Sequence, residues 1–226
     1  MFPIGDTEVR GAGPGIVTIT LIVINVAVFV LFEATLDQAA LQNFFDQWAV
    51  VPQEILAGEE LFTLLTSMFL HGGWFHLASN MVFLWVFGDN IEAVMGKFFY
   101  VVFYLLSGLA ASTAHILFNP ASTVPSVGAS GAIAGILGAY VVMFPKSRIR
   151  LAMMSRAGMR IGRTSALVFL GIWFVSQLFN GIASLGAPTA QTGGVAVWAH
   201  IGGFIVGLVA GFLLRDKAGQ LAFETS

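Results

Sequence analysis

Four polar residues of this chain carry side chains suited to nucleophilic catalysis: Ser130, His200, His76 and Asn80. A serine hydroxyl becomes a nucleophile when an imidazole takes its proton as general base, so Ser130 and His200 form one candidate pair. His76 and Asn80 lie at i and i+4 in the segment HLASN, on one face of a helix. Together with the Ser130 backbone N–H, they could stabilise an oxyanion that develops near the serine.

Ser130 stands among small residues in the segment VPSVGASGAIAGILGAY, residues 124–140. Small residues let helices approach closely, and a serine in such a stripe can serve only as a hydrogen-bonding spacer. Glycines flank this serine at positions 128 and 131, and they leave space for a substrate. The segment alone therefore leaves two interpretations open, a packing residue and a nucleophile.

The composition is that of an integral membrane protein. Of the 226 residues, 57% are hydrophobic and only 10% are charged, with a mean hydropathy of +0.87. A soluble domain carries about 25% charged residues. The chain has no cysteine, which excludes disulfides and thiolate chemistry.

Uncharged runs mark the segments that must position the four residues. A membrane span needs about 20 apolar residues, and Pro/Gly-rich stretches mark the turns. The predicted fold class is an all-α membrane protein, a single domain over residues 1–226 with a bundle of six transmembrane helices. The predicted helices cover about 16–33, 75–96, 98–118, 129–144, 164–183 and 195–214.

Basic residues predict the orientation of the bundle. With six spans, all ten Lys and Arg residues fall on one side, which places both termini in the cytoplasm. We interpret the basic cluster in residues 146–163 as a topology signal rather than a nucleic-acid site. No cleavage pattern follows the first apolar run, so helix 1 is expected to be retained.

The outer loop between helices 1 and 2 is predicted to contain an amphipathic helix. Leu41, Phe44, Phe45 and Trp48 recur at i, i+3, i+4 and i+7, which gives one apolar face with an aromatic anchor. Such a helix either lies in the outer membrane interface or packs on the bundle.

The four polar residues are predicted to lie at one depth, in the outer part of the bilayer. Measured from the basic residue that closes each helix, Ser130, His200 and Asn80 lie roughly 22–25 Å above the inner boundary at 1.5 Å per residue. His76 lies one turn further out. Polar side chains inside a membrane are costly, so their alignment indicates a functional site.

Small-residue stripes predict that helices 4 and 6 meet closely. Ser130, Ala134 and Gly138 share one face, and His200 shares a face with glycines at positions 203, 207 and 211. Such packing would bring Ser130 within reach of His200. No carboxylate lies at this level, which favours a Ser-His dyad over a triad.

These residues resemble the rhomboid family of intramembrane serine proteases. The matching segments are HGGWFHLASN (71–80), GASGAIAG (128–135) and AHIGGFIVG (199–207). The resemblance implies a six-helix core with Ser130 as nucleophile, His200 as base, and an oxyanion hole formed by His76, Asn80 and the Ser130 amide. It implies no cofactor and no metal.

Two positions depart from the family pattern. Family members often carry Trp-Arg in the first outer loop, where this chain has Glu59-Glu60, so that pair cannot anchor the loop here. Some members have an aromatic residue one turn after the serine, against which the histidine stacks. Ala134 stands there, so His200 must be held by something else.

The predicted function is cleavage of transmembrane segments near the outer face of a cell membrane, the bacterial plasma membrane in the simplest case. The expected partners are single-span membrane proteins and the lipid bilayer, with no nucleic acid. The alternatives are an inactive rhomboid-like binding protein and a small-solute transporter. No HExxH zinc motif and no second intramembrane aspartate are present. We further hypothesise that residues 184–198 form a lid over the site, an ordinary connection being the alternative.

Overall fold

A computed structural model of the chain describes residues 2–6, 15–155, 158–184 and 197–224. The described residues form α-helices and one antiparallel sheet. The α-helices are α1 (Ile16–Val28), α2 (Gln38–Trp48), α3 (Pro52–Leu56), α4 (Thr63–Thr66), α5 (Trp74–Met95), α6 (Lys97–Phe118), α7 (Ser130–Met143), α8 (Ala166–Ser184) and α9 (Val197–Glu224). A π-helical turn (Phe29–Glu33) extends α1, and a 3-10 turn (Ser67–Phe69) follows α4. The strands are β1 (Phe2–Gly5), β2 (Arg148–Ser155) and β3 (Gly158–Ser165).

Each of the six predicted long helices is present in the structure. Their ends lie within two residues of the predicted bounds, except that α9 continues ten residues further, to Glu224. Among the described residues, four helical segments are long and apolar enough to cross a membrane: Ile16–Glu33, Lys97–Phe118, Ala166–Ser184 and Val197–Leu221.

The other two predicted helices, α5 and α7, differ from these four in charge, length or burial. α5 has 22 residues but carries two acidic residues, Asp89 and Glu92, near its end. α7 has only 14 residues, and all of them except Ser130 and Val142 are buried. Helix α7 therefore lies at the centre of the bundle, surrounded by α5, α6, α8 and α9.

Glycines bring α7 and α9 into backbone contact, as the small-residue stripes predict. A Cβ added at Gly203 would collide with the Gly131 carbonyl oxygen, and one added at Gly207 would collide with that of Gly135. From the other side, a Cβ at Gly138 would meet the backbone of α9. Side chains larger than hydrogen at these positions would push the helices apart, so this packing depends on glycine.

The expectation of an all-α fold is wrong for the basic segment between α7 and α8. Strands β1, β2 and β3 pair in that order, both pairs antiparallel, and β2 and β3 form a hairpin with Arg148 opposite Ser165. The strand pattern is visible in the sequence, because Arg148 and Arg150 alternate with the buried Ile149 and Leu151. Period-two alternation is the signature of a half-buried strand, and here it lies within the basic cluster that is also a topology signal.

Strand β1 lies along α5. At one end, the Asp6 carboxylate accepts hydrogen bonds from the Tyr140 hydroxyl and from Asn90 Nδ2, the latter at 2.9 Å. At the other end, the Phe2 ring meets the Phe75 ring edge-on, with centroids 6.0 Å apart. The strand thus follows α5 from near its C-terminal end toward its first turn.

Glu92 fixes the start of α1 against α5. Its carboxylate accepts hydrogen bonds from the backbone N–H groups of Val17 (3.0 Å) and Thr18 (2.8 Å) and from the Thr18 hydroxyl (2.9 Å). The first N–H groups of a helix have no partner inside the helix. Because a carboxylate also complements the positive end of the helix dipole, Glu92 serves as a cap supplied by a neighbouring helix.

The amphipathic helix predicted in the outer loop is present as α2. Asp37 caps it by accepting from the Ala40 N–H at 2.8 Å. The loop that follows is anchored by main-chain bonds: Val50 and Ser126 exchange a pair at 3.1 and 2.8 Å, and Gly128 N–H donates to the Ser67 carbonyl at 2.9 Å. This pairing holds the outer loop beside the start of α7, although Glu59-Glu60 replace the usual Trp-Arg.

The segment hypothesised to be a lid, residues 184–198, lies largely outside the described residues. Next to it, Trp198 in the first turn of α9 stacks on Phe118 at the end of α6, with ring centroids 3.7 Å apart and planes 5° from parallel. This stack fixes the start of α9 against α6.

Candidate active site

The structure brings Ser130 and His200 into direct contact. Ser130 Oγ lies 2.8 Å from His200 Nε2, a hydrogen-bond distance. Ser130 is the first residue of α7, and His200 lies in the first turn of α9. The glycine contacts between these two helices begin at Gly131 and Gly203, directly beside the pair. The close packing of α7 and α9 therefore sets the distance between hydroxyl and imidazole.

The second ring nitrogen of His200 also has a partner. His200 Nδ1 lies 2.9 Å from Gln177 Oε1 on α8. The Trp173 ring, one turn earlier on α8, lies 5.8 Å from the imidazole at an angle of 38°. Ala134 is fully buried and brings no ring to the histidine. In the part of the chain that the structure describes, Gln177 and Trp173 are thus the groups that hold His200 where Ala134 does not.

Gln177 is not among the four polar residues that the sequence pattern indicates as a site. A signal was available in its spacing. Trp173 and Gln177 stand at i and i+4, so they share one face of α8. A polar side chain on a membrane helix is costly, so it calls for a partner or a function.

His76 lies next to Ser130. Its Nδ1 accepts a hydrogen bond from the Gly72 N–H at 3.2 Å. In a neutral imidazole, an accepting Nδ1 leaves the proton on Nε2, which becomes a donor. A Cβ added at Gly128 would lie 2.9 Å from His76 Nε2 and 3.6 Å from Ser130 Oγ. The two side chains therefore share the space beside Gly128, whose φ of +134° also favours glycine.

Asn80 is buried one turn after His76 on α5. Among the described residues, its Nδ2 has no hydrogen-bond acceptor. A buried donor without a partner costs about 1–3 kcal/mol. Such groups in native structures call for an explanation, and a catalytic role is one. Asn80 therefore offers a spare N–H donor on the helix that carries His76.

The backbone at Ser130 offers a further donor. Because Ser130 begins α7, its N–H belongs to the first turn, where no carbonyl within the helix can accept it. The positive end of the helix dipole lies at the same place and favours negative charge. Both the free N–H donor and the helix dipole would stabilise an anion formed next to Ser130.

His71 packs behind His76. The two rings meet edge-on with centroids 5.2 Å apart, and the His71 backbone N–H donates to Glu33 Oε2 at 2.8 Å. Burial, and after it the neighbouring His76, lowers the pKa of His71 to about 3. His71 is therefore neutral at physiological pH and serves as a packing partner for His76.

A cavity lies beside the serine, between α6 and the loop that precedes α7. Its polar lining includes Ser112 and His115 on α6 and Ser126 in the loop, together with Ser130 itself. Within the described ranges, no three His, Asp or Glu side chains come together as metal ligands would.

Comparison with known proteins assigns the chain to a family. The protein-family model described as "Rhomboid domain" matches residues 58–217. The chain belongs to the rhomboid family. With its apolar helices, this rhomboid is a multi-pass membrane protein.

Several relatives carry rhomboid names. "Rhomboid protein 1, mitochondrial" of Saccharomyces cerevisiae is 26% identical over 198 residues, which cover 86% of this chain and 52% of the relative. "RHOMBOID-like protein 6, mitochondrial" of Arabidopsis thaliana is 31% identical over 178 residues, covering 77% and 51%. "Rhomboid protease GluP" of Bacillus subtilis is 32% identical over 176 residues, covering 70% and 32%. The matched region thus spans about half of the first two relatives and a third of the third.

Proposed function

We propose that this rhomboid is an intramembrane serine endopeptidase with a Ser130–His200 dyad. The observation that carries the proposal is the 2.8 Å contact between Ser130 Oγ and His200 Nε2. Membership of the rhomboid family and the similarity to a protease of Bacillus subtilis support it at the level of the family.

The proposed reaction begins with transfer of the Ser130 hydroxyl proton to His200 Nε2 as Oγ attacks the scissile carbonyl carbon. The carbonyl π electrons move onto its oxygen, and the Ser130 N–H, His76 Nε2–H and Asn80 Nδ2–H stabilise this oxyanion. The C–N bond then breaks, and His200 gives its proton to the leaving amine. Water, deprotonated by His200, hydrolyses the resulting ester and restores the Ser130 hydroxyl.

The proposed substrates are transmembrane segments of single-span membrane proteins. A helix hydrogen-bonds its own carbonyl groups, so the segment must unwind locally before attack. Small or helix-breaking residues near the cut would lower that cost. We propose cleavage near the outer face of the membrane, because the sequence predicts that the four polar residues share a depth in its outer part.

The proposed topology has six spans, with the start of α1 and the end of α9 at the cytoplasmic side, within one membrane domain over residues 1–226; strand β1 then runs from that side along α5, where Phe2 meets Phe75. A cell membrane is the proposed location, the plasma membrane in a bacterium. Two of the named relatives are mitochondrial, so a mitochondrial membrane is the alternative.

The decisive experiment is incubation of the purified protein in liposomes with a panel of single-span membrane proteins, scored for cleavage. Ser130→Ala and His200→Ala should each abolish cleavage while the protein remains folded. A fluorophosphonate should label the wild type at Ser130 and should label His200→Ala only weakly. Thr113→Ala removes an exposed hydroxyl on α6 that bonds its own helix, and it should behave as the wild type.

Full cleavage by Ser130→Ala, with contaminating proteases excluded, would refute the dyad. Stable binding of a panel member by the wild type without cleavage would favour an inactive rhomboid-like binding protein. Uptake of a small solute by the liposomes, without cleavage of any panel member, would favour a transporter.

A further inference from the structure

We propose that Gln177 is a positioning residue for His200: its Oε1 accepts the Nδ1 proton and keeps Nε2 free to receive the proton of Ser130. The inference rests on the proposed function, because it concerns how the same dyad is prepared for reaction. It starts from the 2.9 Å contact between His200 Nδ1 and Gln177 Oε1.

The tautomer of the imidazole decides whether His200 can act as a base. A neutral imidazole carries one proton, and an amide oxygen can only accept a hydrogen bond. With Gln177 Oε1 against it, Nδ1 must carry that proton. Nε2 then presents its lone pair to the Ser130 hydroxyl, 2.8 Å away. The opposite tautomer would place a proton between His200 and Ser130 and prevent proton transfer.

A second hydrogen bond of Gln177 agrees with this orientation of its amide. Gln177 Nε2 donates to the Ser176 hydroxyl at 3.4 Å, which directs the amide oxygen toward His200. A flipped amide would offer N–H to Nδ1 and favour the unproductive tautomer. A glutamate at this position could only accept, so it would enforce the productive tautomer more strictly than glutamine does.

Among the described residues around His200, Gln177 supplies an orientation that the others do not provide. Ala134 has no ring for the histidine to stack on, and Trp173 meets the imidazole at a tilt of 38°. Neither of these side chains can distinguish the two ring nitrogens. Gln177 is thus the group that makes the histidine a directed base, in the role that an acidic residue has in a catalytic triad.

The location of Gln177 has a mechanical consequence. Only Ala166, Leu170 and Gly181 are buried among the side chains of α8, so this helix lies at the edge of the bundle. A displacement of α8 away from α9 would carry Gln177 away from His200. The orientation of the histidine is therefore coupled to the position of α8.

The first test compares Gln177→Ala and Gln177→Glu with the wild type in the liposome cleavage assay. Gln177→Ala should lower kcat about 10- to 100-fold, the range seen when the hydrogen-bond partner that orients a metal-bound histidine is lost, and leave KM within about twofold. Gln177→Glu should restore kcat to the wild-type level or above. Asn180→Ala is the matched control, because Asn180 is an exposed amide less than one turn away on α8.

The second test reads the tautomer directly and does not require activity. In protein labelled with ¹⁵N-histidine, the His200 signals, assigned with a His200→Gln sample, should show a protonated Nδ1 and an unprotonated Nε2. Gln177→Ala should give a mixture of tautomers, and Gln177→Glu should return the signals to the wild-type pattern.

The outcomes separate the two proposals. An inactive wild type in which Gln177→Ala still changes the tautomer would overturn the proposed function and support the positioning role. An active wild type in which Gln177→Ala changes neither kcat nor the tautomer would overturn the positioning role alone. A folded Gln177→Glu as impaired as Gln177→Ala would also overturn it, because the contact would then be only packing.

Discussion

Gly203→Ala tests whether backbone packing sets the distance between Ser130 and His200. The new Cβ would lie 3.0 Å from the Gly131 carbonyl carbon and closer still to its oxygen. To restore ordinary contact near 3.5 Å with that oxygen, α7 and α9 must separate by about 1.5 Å at this point. Forcing a methyl group into such a contact typically costs about 1–3 kcal/mol of stability.

The same separation of α7 from α9 also moves Ser130 away from His200. Gly203 lies less than one turn from His200, and Gly131 directly follows Ser130, so the separation acts at the dyad itself. The distance from Ser130 Oγ to His200 Nε2 would grow from 2.8 Å to roughly 4.3 Å, which is too long for a hydrogen bond. Loss of positioned general-base catalysis would reduce kcat about 10²–10⁴-fold.

The assay combines cleavage in liposomes, the rate of fluorophosphonate labelling and the thermal unfolding temperature in detergent. Gly219→Ala is the matched control, because it adds the same methyl group to α9 where no atom lies within 4 Å. Gly203→Ala should be impaired in all three measurements, and Gly219→Ala in none. Equal cleavage and labelling by the two variants would refute the idea that this glycine contact sets the dyad.

Three further predictions follow. Asn80→Ala should lower kcat about 10²–10³-fold and still allow fluorophosphonate labelling, because it removes an oxyanion donor and not the nucleophile; an unchanged kcat with weaker binding would make Asn80 a docking residue. Glu92→Gln should lower the free energy of unfolding by about 2–3 kcal/mol, since the charge-assisted cap on Thr18 is lost; an unchanged denaturation midpoint would contradict this. In a chain without cysteine, Gln42→Cys on α2 should react with an impermeant maleimide only from outside the cell, and Lys217→Cys on α9 only from inside; the reverse pattern would invert the proposed topology.

Much of the helical framework was predictable because the features that specify a membrane helix are local in the sequence. Uncharged runs and Pro/Gly breaks gave the long helices to within two residues, apart from the end of α9, where charged residues continue the helix beyond the apolar run. The glycine stripes likewise predicted the contact of α7 with α9. The hairpin of β2 and β3 was missed because its arginines were interpreted through the topology of the loop, although they alternate with Ile149 and Leu151.

The candidate site likewise has residues that could be selected from the sequence and contacts that could not. Ser130, His200, His76 and Asn80 could be selected from sequence, because polar groups in an apolar helix are costly and stand out. The role of Gln177 could not be assigned, since its contact with His200 depends on how α8 is rotated and where it crosses α9. The cap that Glu92 gives to Thr18 joins residues 74 positions apart in the chain, and no local pattern specifies such a partner.

The sequence by itself determined which segments are helices, which polar residues must be explained, and which faces can approach closely. Each of these properties depends on residue type and on a period of a few residues along one chain segment. Only the tertiary structure decided which nitrogen of His200 faces Ser130, what holds the other nitrogen, and where the basic segment folds into a sheet. Those outcomes depend on the relative rotation and translation of packed elements, because hydrogen bonds form or fail over differences of about 1 Å.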